Sequence, residues 1–192
     1  MHVTILSTSP RKDSNSLKAA KALAKLSEKA GHAVSLVSFE NYDIPMVGQG
    51  SLHKDQLSDF QKILIEHWEK AQVVFMAIPE YNWITSGQLI NAIHQLGSPN
   101  FGHLFDEKVF AMMGVSAGRG GRLPALELTT LLNKMISFLH KMSIVSPKLF
   151  ESQETPHTVD PDGNLLQNPL YNQGIEDYVT YTFKIAERWL GK

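Results

Sequence analysis

Two stretches of this chain are apolar almost without a break: "QVVFMAIP" at residues 72–79 and "KVFAMMGVS" at residues 108–116. A strand with one face in water alternates apolar and polar side chains, whereas a strand covered on both faces has no need to. These runs have strand rather than helix length, and Pro79 stops the first of them. Two doubly covered strands require a sheet with a packed layer on each side. That requirement points to a parallel α/β architecture.

The remainder of the chain supplies the other parts. "HVTILS" and "AVSLVSF" read as two further strands, and "SIVSPKLF" as a fifth. Helical spacing runs from Ser16 to Ala30 with Gly31 as the stop, then over Asp55–Lys70, Gly87–Leu96, Leu123–Met142 and Tyr171–Leu190. Pro124 is tolerated in the first turn of the fourth helix. Asn41–Leu52 and the Pro- and Gly-bearing stretch 151–169 read as loops. Strands and helices thus alternate, which predicts a parallel sheet with right-handed crossovers. No repeat or long linker divides the chain, so residues 1–192 are expected to form a single domain. In such sheets a ligand sits beyond the carboxyl ends of the strands, where strand order reverses. The loops after the first, third and fourth strands are therefore the ones to read for function.

Composition removes several function classes. Eighteen basic residues meet nineteen acidic ones, a formal charge of -1, which gives no general attraction to nucleic acid or an anionic membrane. The absence of cysteine excludes disulfides, thiol catalysis and cysteine-ligated metals. The eight histidines form no H-E-x-x-H pattern, and no metal site is expected. Asp160-Pro161-Asp162-Gly163-Asn164 faintly resembles a calcium loop but lacks its later ligands, and a Pro-Asp-Gly turn accounts for it. The opening apolar run is too short for a signal peptide and no segment reaches membrane-span length, so a soluble, cytoplasmic protein is expected.

The first loop, "STSPRKDSNS", sets Ser9, Arg11, Ser14, Asn15 and Ser16 just ahead of a helix. A helix N-terminus offers unpaired N–H groups and a partial positive charge, the hydroxyls add neutral donors, and Arg11 adds a forked charged one. That set suits a phosphate monoester, although a helix cap by Ser14 or Ser16 beside a solvated Arg11 would use the same residues. The loop is neither a nucleoside-triphosphate loop nor a G-x-G-x-x-G fingerprint. The second loop, "PEYNWITSGQLINA", brings Tyr81 and Trp83, flat surfaces suited to a planar ring or to plain packing. The third, "VSAGRGGRLPAL", contains Gly118, Gly120 and Gly121, which permit close backbone approach.

With these three loops in their order and spacing, the chain resembles the NADPH-dependent FMN reductase family, flavodoxin-like flavoproteins that include quinone, azo-dye and chromate reductases. The family's S-x-R-x-x-S-x-[NS] stands here as Ser9-Pro10-Arg11-Lys12-Asp13-Ser14-Asn15-Ser16. Its P-E-Y-N followed by G-x-L-K-N-A stands as Pro79-Glu80-Tyr81-Asn82 and Gly87-Gln88-Leu89-Ile90-Asn91-Ala92. Its Ser- and Gly-rich third loop stands as Ser116-Ala117-Gly118-Arg119-Gly120-Gly121. The resemblance covers roughly residues 1–150 and implies a three-layer flavodoxin-like sandwich with sheet order 2-1-3-4-5. It implies an FMN phosphate held by Ser9, Arg11, Ser14, Asn15 and Ser16, an isoalloxazine along Pro79, Glu80, Tyr81, Asn82 and Trp83, and Ser116, Gly118, Arg119, Gly120 and Gly121 facing the pyrimidine end. The motif's usual Lys is Ile90 here, and the Asp-Trp often found beyond it is His94-Gln95. These departures fall on a helix expected to serve subunit contacts or charge pairing.

The activity implied is hydride transfer from NADPH or NADH through FMN to free flavin, a quinone or a similar small acceptor, in ping-pong order. Such chemistry belongs to the cofactor, so no catalytic side chain is required. Arg119 or Arg122 is available to a phosphate of the nicotinamide nucleotide. Homodimers or homotetramers are implied as well, with Trp68, Trp83 and the Tyr171–Tyr181 region as contact candidates unless they pack in the core. Two other readings compete. A flavodoxin-like electron carrier would share the fold, but such carriers are usually strongly acidic. A serine hydrolase would use Ser116 in Gly114-Val115-Ser116-Ala117-Gly118, with Glu151 or Glu154 and His157 as partners.

Overall fold

The computed structural model describes residues Met1–Gly191. Along the chain run β1 (His2–Ser7), α1 (Asn15–Lys29), β2 (Ala33–Ser38), α2 (Asp59–Lys70), β3 (Val73–Pro79), α3 (Gly87–Leu96), β4 (Val109–Val115), α4 (Arg122–Phe138), β5 (Ile144–Val145), β6 (Phe150–Ser152) and α5 (Pro169–Leu190). The strands lie in the order β2-β1-β3-β4-β5, with β6 also paired to β4, and every pairing is parallel. This is the flavodoxin-like arrangement expected, with one strand more.

The strands within the two apolar runs, β3 and β4, are buried along their whole length because alternate residues enter different layers. Val74, Met76, Ile78, Phe110 and Met112 face the cluster that includes Leu64 and Trp68 of α2, Leu89 and Ile93 of α3, and Leu128 of α4. Val73, Phe75, Ala77, Ala111 and Met113 face Leu23 of α1 and Ile175, Tyr178 and Phe183 of α5. Trp68, Tyr171 and Tyr178 are therefore core residues, whereas Tyr181 keeps partial exposure. No helix among the described residues is long and apolar enough to cross a membrane.

Four differences from the sequence expectation go beyond a shift of one or two residues at a helix or strand end. The second helix starts at Asp59 rather than Asp55, because Ser58 and Gln61 form a reciprocal capping box that fixes its first turn. The fourth ends at Phe138 rather than Met142. There His140 takes a positive φ of 54°, and Asp106 accepts from the N–H of Met142 at 2.8 Å. The expected fifth strand is two short strands: Ser146 makes a last bond to the Phe110 carbonyl at 2.7 Å, and Pro147 then has no N–H with which to continue. The stretch read as loop contains the end of β6, a turn of 3-10 helix at Thr155–His157 and a Val159–Leu165 bridge.

Candidate functional site

All three candidate loops leave carboxyl ends of neighbouring strands, because β1, β3 and β4 are parallel and adjacent. The first loop and the start of the second close around a cleft of about 240 Å³. Ser9, Arg11, Ser14, Asn15, Ser16, Pro79, Glu80 and Tyr81 line it, together with Lys12, Asp13, Val115 and Ala117. At its base is the N-terminus of α1. Ser14 caps the helix, its Oγ accepting from the N–H of Leu17 at 3.1 Å. The N–H groups of Asn15 and Ser16 meet no acceptor among the described residues, so the first helical donors remain available to an anion. The cap thus leaves the anion reading open. Ser14 serves the helix, and its successors are left as donors.

Tyr81 is turned toward the first loop. Its hydroxyl is 2.9 Å from Ser9 Oγ, and the Arg11 guanidinium carbon lies 4.4 Å from its ring centroid. It therefore belongs to the cleft of the first loop. Tyr81 and Ile84 exchange backbone hydrogen bonds across a two-residue turn in which Asn82 and Trp83 have φ of 52° and 73°. Both values are unusual for residues other than glycine. The turn presents Trp83 to solvent, 73% exposed.

The third loop stands beside the cleft. Ser116, Gly118, Arg119, Gly120 and Gly121 are not in its lining. They connect to it through Glu80, whose carboxylate accepts from the N–H of Gly121. Gly121 has a φ of 93°, and its carbonyl packs so closely on Gly114 that a Cβ there would lie 1.7 Å from the oxygen. Arg119 and Arg122 are exposed and each has an acidic neighbour: Arg119 lies 3.7 Å from Glu154, and Arg122 bonds Glu151 at 2.8 Å.

The hydrolase arrangement is absent among the described residues. Ser116 Oγ accepts from the N–H of Gly118 at 3.3 Å and bonds no histidine, and both proposed acids are engaged by arginines. Asp160 Oδ1 accepts from the backbone of Asp162 and Asn164, holding its own turn. Gln95 corrects the expectation of a subunit contact. Buried, it donates to the carbonyls of Pro45 and Gly50 at 2.9 Å, while Asn91 donates to Tyr42 and Pro45 and accepts from the N–H of Val47. Together they pin the 42–50 loop to α3. Ile90 packs half-buried against the core, and His94 is exposed.

The family model described as NADPH-dependent FMN reductase matches residues 1–153. The chain belongs to that family. As a member it is an NAD(P)H-dependent flavin oxidoreductase, with FMN as cofactor and NAD(P)H as electron donor. No curated protein matches the chain by sequence. Among solved structures it is similar to FerB, a flavoenzyme NAD(P)H:(acceptor) oxidoreductase from Paracoccus denitrificans, at 21% identity over 98% of each chain with a TM-score of 0.73. It is also similar to the NADH:FMN oxidoreductase EmoB, at 16% identity over 96% of this chain and 90% of that one, TM-score 0.67. RosB, solved with bound 8-demethyl-8-formylriboflavin-5'-phosphate, aligns at 16% identity over 99% of this chain and 80% of its own, TM-score 0.69. At such identities the likeness is one of fold.

The residues present fit FMN. Free helix N–H groups and Arg11 meet the needs of a phosphate monoester. The hydroxyls of Ser7, at the end of β1, and Thr85, after the second loop, are buried with no partner among the described residues. Thr85 escaped the sequence reading. The only signal for it was its place in Thr85-Ser86 ahead of α3, where Ser86 is the cap.

Proposed function

We propose that this family member passes a hydride from NAD(P)H to a small acceptor, a quinone or free flavin, in the cytoplasm. In this reading one FMN-binding domain, residues 1–192, carries the reaction. The single observation behind the site assignment is the cleft at the α1 N-terminus, where Arg11, Ser9 and the free N–H groups of Asn15 and Ser16 converge. Those groups hold the phosphate. Arg11 supplies the charged fork and Tyr81 holds it from below. Pro79, Glu80, Asn82 and Trp83, with Ser116 to Gly121, bound the ring end.

FMN, when bound, supplies the ring that takes up and gives out the hydride. The protein positions it and limits water, and no side chain needs to move a proton. We read the kinetic order as ping-pong, with donor and acceptor using the same face in turn. Self-association is part of the proposal, supported by Ile84, Leu123 and Leu126 exposed near the site edge, where the N–H of Thr85 reaches Glu127 on α4. Sedimentation as a monomer would remove that part.

The decisive experiment is to load the purified protein with FMN and add NADPH, then NADH, without oxygen. The 450 nm flavin band is expected to bleach and to return when a quinone is added, with parallel double-reciprocal plots at steady state. A bound flavin that never bleaches would make the protein an electron carrier. Arg11→Ala is expected to weaken FMN binding by about 1.5–3 kcal/mol, the scale of a charge-assisted hydrogen bond. An unchanged dissociation constant would return Arg11 to a surface role.

A further inference from the structure

Glu80 carries a role of its own. Its N–H donates to the Val115 carbonyl at 2.9 Å, so its backbone still follows the sheet and the side chain is aimed from the end of β3 toward the end of β4. There the carboxylate takes the N–H of Gly121, and its two oxygens lie 2.5 and 2.6 Å from where a Cβ on Gly120 would stand. A Cβ on Gly120 would therefore displace the Glu80 carboxylate from Gly121, while on the other side Gly114 packs directly on the backbone of Gly121.

The charge on this carboxylate is not cancelled. Among the described residues no Lys, Arg or His pairs with Glu80, while the two arginines nearest in sequence to its loop partner are taken by Glu151 and Glu154. A backbone N–H offsets only part of a full negative charge. Glu80 also lines the cleft assigned to FMN.

We propose that Glu80 is a positioning residue that sets the glycine-rich loop at the ring end of the site, and that its unpaired charge makes the bound flavin harder to reduce. The second half follows from Coulomb's law: a flavin gaining electrons gains negative charge, and a nearby carboxylate opposes it. The inference rests on the FMN reading given above.

Two substitutions separate geometry from charge. Glu80→Gln keeps an oxygen that can accept from Gly121 and loses the charge; Glu80→Ala loses both. By equilibrium titration, Glu80→Gln is expected to bind FMN within threefold of the wild type, with a bound-flavin midpoint potential more positive than wild type. Glu80→Ala is expected to bind FMN at least tenfold more weakly. In the protein without flavin, Gly120→Ala is expected to lower the melting temperature, and adding Glu80→Ala to restore part of the loss. An unchanged potential in Glu80→Gln, wild-type affinity in Glu80→Ala, or no rescue of Gly120→Ala would each overturn the proposal. If the wild-type protein binds no FMN, the functional reading fails instead, and the rescue experiment still reports on the Glu80 contact.

Discussion

Single residues in the second loop face in opposite directions and join the other two loops. Glu80 reaches the third loop, whereas Tyr81 reaches Ser9 and lies under Arg11 in the first. Trp83 is the exception, because it points into solvent and holds a φ of 73° there. A left-handed conformation costs a residue other than glycine roughly 1–2 kcal/mol, and such outliers gather at functional sites. Trp83→Gly should therefore stabilise the protein by about 1 kcal/mol, a rise of roughly 2–4 °C in Tm for a chain of this size, while the acceptor KM increases. A fall in Tm would mean that the indole contributes packing to the folded state.

At the scale of elements, the edge opposite the cleft is held by polar ties at helix and strand ends. Lys108 ahead of β4 donates to the carbonyls of Glu69 and Ala71 at the end of α2, and burial pushes its ammonium below the usual lysine range. Asp106 accepts from the N–H of Met142 and from Lys141, joining the start of β4 to the chain that leaves α4. The Met142 bond first, and then Lys141, hold the Asp106 carboxyl below the usual carboxylate range. A group whose pKa is depressed by folding adds stability above its unfolded pKa and loses it as pH falls through the folded one. Asp106→Asn should thus lower Tm at pH 7, with the gap to wild type closing as pH drops below about 4, the ordinary carboxylate value. A gap independent of pH between 7 and 3 would show that the carboxylate charge is not what matters. Such ties were not legible in the sequence, because they join residues 35 to 40 positions apart. The Ser58–Gln61 capping box, by contrast, is local, and its Ser-x-x-Gln spacing marks the start of α2 at Asp59.

Across the whole molecule the sheet divides two apolar layers. Phe75 packs edge-on to Tyr178 and Phe183 on one side, and Phe110 packs with Trp68 and Phe105 on the other. Each is fully buried, so Phe75→Ala and Phe110→Ala should cost about 3–5 kcal/mol apiece in urea unfolding. As the two clusters share no partner, the costs should add to within about 0.5 kcal/mol, and a clear departure would mean that the layers communicate through the sheet. The fold was readable from residues 72–79 and 108–116 because burial on both faces leaves a mark in local composition. The cleft of the first loop was readable because the Ser14 cap, its neighbouring hydroxyls and Arg11 lie within a few residues of one another. The sequence by itself therefore determined the layered parallel sheet and which three loops share an edge. Only the tertiary structure decided that Tyr81 turns to the first loop, that Glu80 lies against Gly120, and that Arg119 and Arg122 have Glu154 and Glu151 beside them. Those outcomes depend on directions and distances between strand ends, and a linear order of residues does not contain them.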